Sequence, residues 1–133
     1  QSKMLNKNVI VFVSSKEYCM VMARLLRKFG LHVSELHGNI KQRKRLNELK
    51  LFKNGKNNIL IATDIASRGL DISQVNYVIN FDIPNNSYDY VHRIGRCGRV
   101  DRHGISITFV SQYDIKIFKL IESKLHIKMI KFK

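Results

Sequence analysis

Ile59-Leu60-Ile61-Ala62-Thr63-Asp64-Ile65-Ala66-Ser67-Arg68-Gly69-Leu70-Asp71-Ile72 changes character at one point. Four apolar residues give way at Thr63 to a segment carrying two hydroxyls, two carboxylates, an arginine and a glycine within nine residues. A run this short and this continuously apolar reads as a strand buried on both faces. The polar segment then reads as the loop beyond that strand's carboxyl end. Equivalent runs at Val9 to Val13, Tyr77 to Phe81 and Ile105 to Val110, with a shorter one at Leu31 to Leu36, predict four more strands of the same kind.

Helical patterns separate them. Residues 16 to 29 place Cys19, Met22, Leu25, Leu26 and Phe29 on one face, with Ser15 and Gly30 as caps. Residues 41 to 54 repeat the scheme with Leu46, Leu49 and Phe52 inward, and residues 87 to 95 form a weaker helix. Residues 112 to 125 follow an S-x-x-D pattern at Ser111 to Asp114, with Ile117, Leu120 and Ile121 at helical spacing. Parallel strands need crossovers, and crossovers place helices on the sheet faces. The expected fold class is therefore α/β, a parallel sheet flanked by helices. Phe12, Phe52, Phe81 and Phe109 are expected in its core, and Pro84 in a loop.

At 133 residues with 44% hydrophobic content, the chain is the size of one domain that needs no staples. The expected division is a single domain over 1–133, with a core of about 8–125 and residues 126–133 a tail or a short extra strand. Lysine and arginine number 24 against 10 acidic residues, a formal charge of +14, so a polyanion is the natural partner. Cys19 and Cys97 lack metal-ligand spacing, so no metal site is expected. Reduced cysteines, the lack of a spanning apolar run and a start without signal architecture point to an intracellular, membrane-free protein.

Ligands of open α/β sheets collect beyond the carboxyl ends of strands, which directs attention to three segments. His92-Arg93-Ile94-Gly95-Arg96-Cys97-Gly98-Arg99 spaces three arginines by three, and arginine forks suit phosphate oxygens. A solvated basic helix end would not need Gly95 and Gly98, each costing about 1 kcal/mol against alanine. His37 to Arg45 joins a glycine after a strand to the start of a basic helix, a seat for anions or simply a solvated face. The Thr63 to Asp71 loop is either a ligand loop or a set of turn and cap residues.

In order and spacing these segments resemble the second-domain motifs of the DEAD-box RNA helicases. Val9 to Lys16 resembles the strand-and-hydroxyl motif opening that domain. HGNIKQRKR resembles HG-x-x-x-Q-x-x-R, ATDIASRGLDI resembles A-T-D-x-x-x-R-G-x-D, and HRIGRCGR resembles H-R-I-G-R-x-G-R. The likeness runs from about Asn8 to Glu122. Cys97 stands where threonine or serine is usual, and Asn39 where an acidic residue is common.

The resemblance implies a RecA-like C-terminal helicase domain. Arg96 and Arg99 would act as arginine fingers on ATP, Asp71 would meet the ribose with Gly69 nearby, and His92 and Arg93 would link the nucleotide to the domain interface. Ser15, Gly38, Gln42, Arg45, Thr63 and Arg68 would hold the RNA sugar-phosphate backbone without reading sequence. The chain has neither G-x-x-x-x-G-K-[ST] nor D-E-A-D. The family places both, with most contacts to ATP and Mg2+, on an N-terminal RecA-like domain, so this fragment alone is expected to be inactive. Partners would be RNA, that domain and protein activators. Likeness of residues 15–30 and 107–118 to nucleolar members suggests ribosomal RNA processing and the nucleus.

Two other classes fit the residues. One is a stand-alone basic RNA-binding α/β module without ATP chemistry. The other is a cysteine-dependent enzyme using Cys97 between His92 and His103.

Overall fold

The computed structural model describes residues 7–70, 72, 75–97 and 104–131. Five strands alternate with five helices: β1 (Val9–Phe12), α1 (Lys16–Lys28), β2 (Val33–Leu36), α2 (Gln42–Lys53), β3 (Ile59–Ala62), α3 (Asp64–Ser67), β4 (Tyr77–Asn80), α4 (Ser87–Ile94), β5 (Ile105–Thr108) and α5 (Ile115–Leu125). All neighbours pair in parallel, in the order β2-β3-β1-β4-β5. The register puts Leu36, Ala62, Phe12, Asn80 and Thr108 in one row across the sheet. The residues that follow therefore emerge along a single edge, and this is what assembles the site.

Alternation along the strands divides the core in two. Ile10, Phe12, Leu60, Ala62 and Leu36 pack with Leu49 and Phe52 of α2 and Ala66 of α3. Val11, Val13, Ile61 and Val33 pack with Cys19 and Ala23 of α1. Helices thus cover both faces, as expected of an α/β sheet.

The caps of α1 are those the sequence offers. Ser15 accepts from the Tyr18 amide at 3.2 Å. At the other end Gly30 takes φ +83°, its amide donates to Arg27 O, and the Leu31 amide donates to Leu26 O, a Schellman closure.

The apolar faces of the helices are narrower than the sequence pattern suggests. Leu25 and Leu46 are more than half exposed and Phe29 is 75% exposed, so they do not belong to the core face. Only Cys19 and Ala23 of α1 are fully buried, because small residues let that helix lie close to the sheet. Leu120 is also exposed, leaving Ile121 as the buried residue of α5. Strand β5 is a sheet edge, and Ile105, Phe109 and Val110 are open to solvent there, contrary to burial on both faces. Phe81 and Phe109 stack edge to face at 5.7 Å on that rim rather than in the core. Residues 127–131 form no strand.

The opposite edge, β2, is buried throughout because polar side chains cover it. Arg27 Nη2 donates to Val33 O at 3.0 Å, the Glu35 amide donates to Glu48 Oε1 at 3.2 Å, and Ser34 Oγ donates to Glu48 O at 2.8 Å. Edge groups that would otherwise template another strand are thereby occupied.

Candidate functional site

Arg93 leaves α4 and is almost fully buried, 3% exposed. Its Nε and Nη2 grip both oxygens of Asp64, at 2.8 and 2.7 Å, while Nη1 donates to Asp82 O at 2.6 Å and Asn80 Oδ1 at 3.4 Å. The guanidinium lies 5.2 Å from the centre of the Phe12 ring. One side chain thus joins the carboxyl ends of β1, β3 and β4. A buried arginine is tolerable only with its donors satisfied, and here every nitrogen has a partner.

One turn on, Arg96 reaches back to the loop after β3. Nη1 donates to Leu70 O at 2.6 Å and Ile72 O at 3.3 Å, and Nη2 donates to Ser67 O at 3.0 Å. That loop turns at Gly69, whose φ of +75° L side chains rarely adopt. Arg68 sends Nη2 to Asp89 Oδ1 at 2.7 Å, with its side chain half exposed. Phe12, Asp64, Ser67, Arg68, Asp89, His92, Arg93 and Arg96 thereby line one small crevice. Asp71 and Arg99 lie outside the described residues, as do Gly98 and His103.

The other expected contacts sit along the same sheet edge. Thr63 is the N-cap residue of α3 but makes no side-chain capping bond. Ser15 lies just beyond β1, and the Ser14 amide donates to Asp82 Oδ2 at 2.7 Å. After β2, the Asn39 amide donates to His37 Nδ1 at 3.2 Å, so the ring proton sits on Nε2, which faces Glu35 Oε2 at 3.2 Å. That fixed ring holds the turn containing Gly38. A Cβ at Gly38 would meet nothing within 4 Å and its φ is not positive, so nothing inside the fold demands glycine there. Gln42 opens α2, exposed. Arg45 ties α2 to α3 through Nη2 to Ala66 O at 2.9 Å, and its Nε is a buried donor without a protein partner.

Sequence reasoning missed the acids. Asp64 and Asp89 anchor Arg93 and Arg68, and Glu35 with Glu48 anchors Arg27. Asp64 was visible as the carboxylate just after β3, but its partner lies 29 residues on and follows only from the fold.

Among the described residues, only Cys19, Glu35 and His37 bring three metal-type donors together, all buried and within 4.8 Å of one another. The donors are already engaged. Arg27 and Lys44 lie 3.1 and 3.8 Å from Glu35, and burial, with Glu35 beside it, pushes the Cys19 thiol up to about 12. The thiol donates to Ile61 O at 3.3 Å. Cys97 Sγ lies within hydrogen-bonding distance of the carbonyls of Asn76 and Ile105, at 3.6 and 3.3 Å.

Known proteins resemble this chain in sequence and fold. The helicase conserved C-terminal domain family matches residues 2–101. The human protein named probable ATP-dependent RNA helicase DDX47 is 46% identical over 121 residues, 91% of this chain and 27% of that protein. The ATP-dependent rRNA helicase RRP3 of Yarrowia lipolytica is 45% identical over 128 residues, 96% of this chain and 27% of that protein. The chain thus spans about a quarter of the length of these relatives. The crystal structure of a DEAD box protein from Methanococcus jannaschii superposes with a TM-score of 0.89 at 36% identity, covering 97% of this chain and 36% of that one. The chain belongs to the helicase conserved C-terminal domain family, and within it to the RecA-like C-terminal domains of the DEAD-box RNA helicases.

Proposed function

We propose that this domain is the C-terminal half of an ATP-dependent RNA helicase, which offers arginines to ATP held on an N-terminal RecA-like domain and binds the RNA backbone on the same sheet edge. One observation carries the reading. The segment from Thr63 to Ile72 is shared: Arg96 clasps it through the carbonyls of Ser67, Leu70 and Ile72, and Thr63 and Arg68 present it towards solvent. A movement of Arg96 towards a nucleotide therefore displaces the stretch assigned to RNA. Such a connection is what mutual reinforcement of ATP and RNA binding requires, and linkage makes the reinforcement reciprocal.

In this reading Arg96 and Arg99 stabilise charge on the transferring phosphoryl group, and Asp71 and Gly69 receive the ribose. Arg93 is a positioning residue, since all its donors are taken inside the domain, and exposed His92 faces the domain interface. Mg2+ belongs with the N-terminal domain, because Asp64 is committed to Arg93. It would offset phosphate charge there.

Ser15, Gly38, Gln42, Arg45, Thr63 and Arg68 form the RNA face. Gly38 supports this most directly, since its lack of a side chain serves no internal contact and suits close approach of a phosphate. The rRNA helicase name of the Yarrowia relative supports a role in ribosomal RNA processing, hence a nucleolar location. No helix among the described residues is long and apolar enough to cross a membrane.

Turnover by the 133 residues alone and after joining to an N-terminal RecA-like domain tests the proposal. The chain alone should neither hydrolyse ATP nor bind it tightly, and the joined protein should show RNA-stimulated hydrolysis. Saturable hydrolysis by the isolated chain would contradict it.

A further inference from the structure

A groove of about 760 Å³ crosses the β2 edge between α1 and α2, away from the crevice at Arg93. Its cations are Arg24, Arg27 and Lys28 from α1, and Lys41 and Lys44 at the start of α2. Its one lining carboxylate, Glu35, is already paired with Arg27, Lys44 and His37. Arg24, Lys28 and Lys41 therefore face solvent without a carboxylate partner among the described residues. Unpaired like charges around one concavity raise its positive potential and concentrate counter-ions there.

Asn39, Ile40 and Lys41 line the groove and lie in the chain between Gly38 and Gln42, and Lys16 Nζ donates to Asn39 Oδ1 at 3.2 Å. The groove therefore adjoins the RNA face. We propose that it is an extension of the RNA track, which holds the phosphates of single-stranded RNA beyond those at Gly38, Gln42 and Arg45, independently of sequence. The inference rests on the RNA reading of that face. Continuity with it, together with the unpaired cations, favours a polyphosphate strand over an acidic protein segment.

Arg24 and Lys28 are the residues to change, since neither supports the fold, whereas Arg27 covers Val33 O and pairs with two buried glutamates. Salt titrations would compare this chain, the Arg24→Gln/Lys28→Gln double variant and Gly38→Ala on uridine strands of about 6 and about 16 nucleotides, lengths at the two ends of common single-strand site sizes. On the longer strand the double variant should flatten the slope of log affinity against log salt by roughly 1.4, two phosphate contacts at about 0.7 each. On the short strand it should match the unaltered chain, while Gly38→Ala weakens both.

Equal losses on both lengths would overturn the track in favour of diffuse attraction. No loss on either, with Gly38→Ala still impaired, would overturn the track and leave the RNA face standing. If the unaltered chain bound neither strand, the RNA reading itself would fall, and the track with it.

Discussion

Arg93 and Asp64 meet through two parallel hydrogen bonds of 2.8 and 2.7 Å, although 29 residues separate them in the chain. The pair connects α4 to the first residue of α3, and Arg93 adds Asn80 and Asp82 at the end of β4. This contact set, with the bonds from Arg96 to the Ser67, Leu70 and Ile72 carbonyls and the Arg68–Asp89 pair, fixes the arginine segment against the loop after β3.

Removing Arg93 should therefore destabilise the fold before it touches any ligand. Arg93→Ala leaves a carboxylate and two carbonyl-type acceptors unmatched, and breaking such a buried pair costs about 3–5 kcal/mol. Arg93→Lys should recover little, since one ammonium cannot reproduce a fork. Urea denaturation of the isolated domain checks both. A loss below about 1 kcal/mol, the range of exposed pairs, would mean that the contact is incidental.

Gly38→Ala should behave in the opposite way. With open space around the added methyl and no positive φ, stability should stay within about 0.5 kcal/mol, the usual range for surface changes. RNA affinity should nonetheless fall on unrelated sequences alike. Gly69→Ala, at φ +75°, should cost about 1 kcal/mol or more. Reversal of the two stability results in thermal melts would show that the glycine roles are misassigned.

Cys19 supplies a pH test. Burial raises its thiol from about 9 to about 12, so the neutral form is favoured by folding. That contribution is complete below pH 9 and is lost as pH climbs towards 12. Cys19→Ala should flatten the alkaline part of the stability profile. At about pH 8, iodoacetamide should modify Cys19 only after unfolding, because the thiolate is the reactive form. Rapid labelling in native protein, read by mass spectrometry, would contradict the buried placement.

The sheet and its order of elements were legible because continuous apolar runs and helical periodicity report burial directly. What the periodicity overstated was the width of the helix faces. Leu25 and Phe29 sit at helical spacing yet face water, since Cys19 and Ala23 bring α1 close to the sheet and leave little room beside them, and Leu46 of α2 faces water as well, leaving Leu49 and Phe52 as the buried apolar residues of that helix. Phe81 and Phe109 look like core residues until β5 is known to be an edge. The basic and glycine-bearing segments of the site could be picked out by composition and order. Their acidic anchors could not, because Asp64 with Arg93, and Asp89 with Arg68, are paired by strand register and not by local spacing.

The most direct test of the account is RNA-stimulated ATP turnover by the chain joined to an N-terminal RecA-like domain, with Arg96→Ala and Arg99→Ala compared against the unaltered protein. Each substitution should lower turnover by about 10³ to 10⁵, the range of arginine fingers, while RNA affinity without nucleotide changes far less. Arg96→Ala should also destabilise the isolated domain by about 1.5–3 kcal/mol, as its charged donors leave the Ser67, Leu70 and Ile72 carbonyls. Turnover unchanged in both variants would contradict the assignment of this domain as the supplier of arginines to ATP.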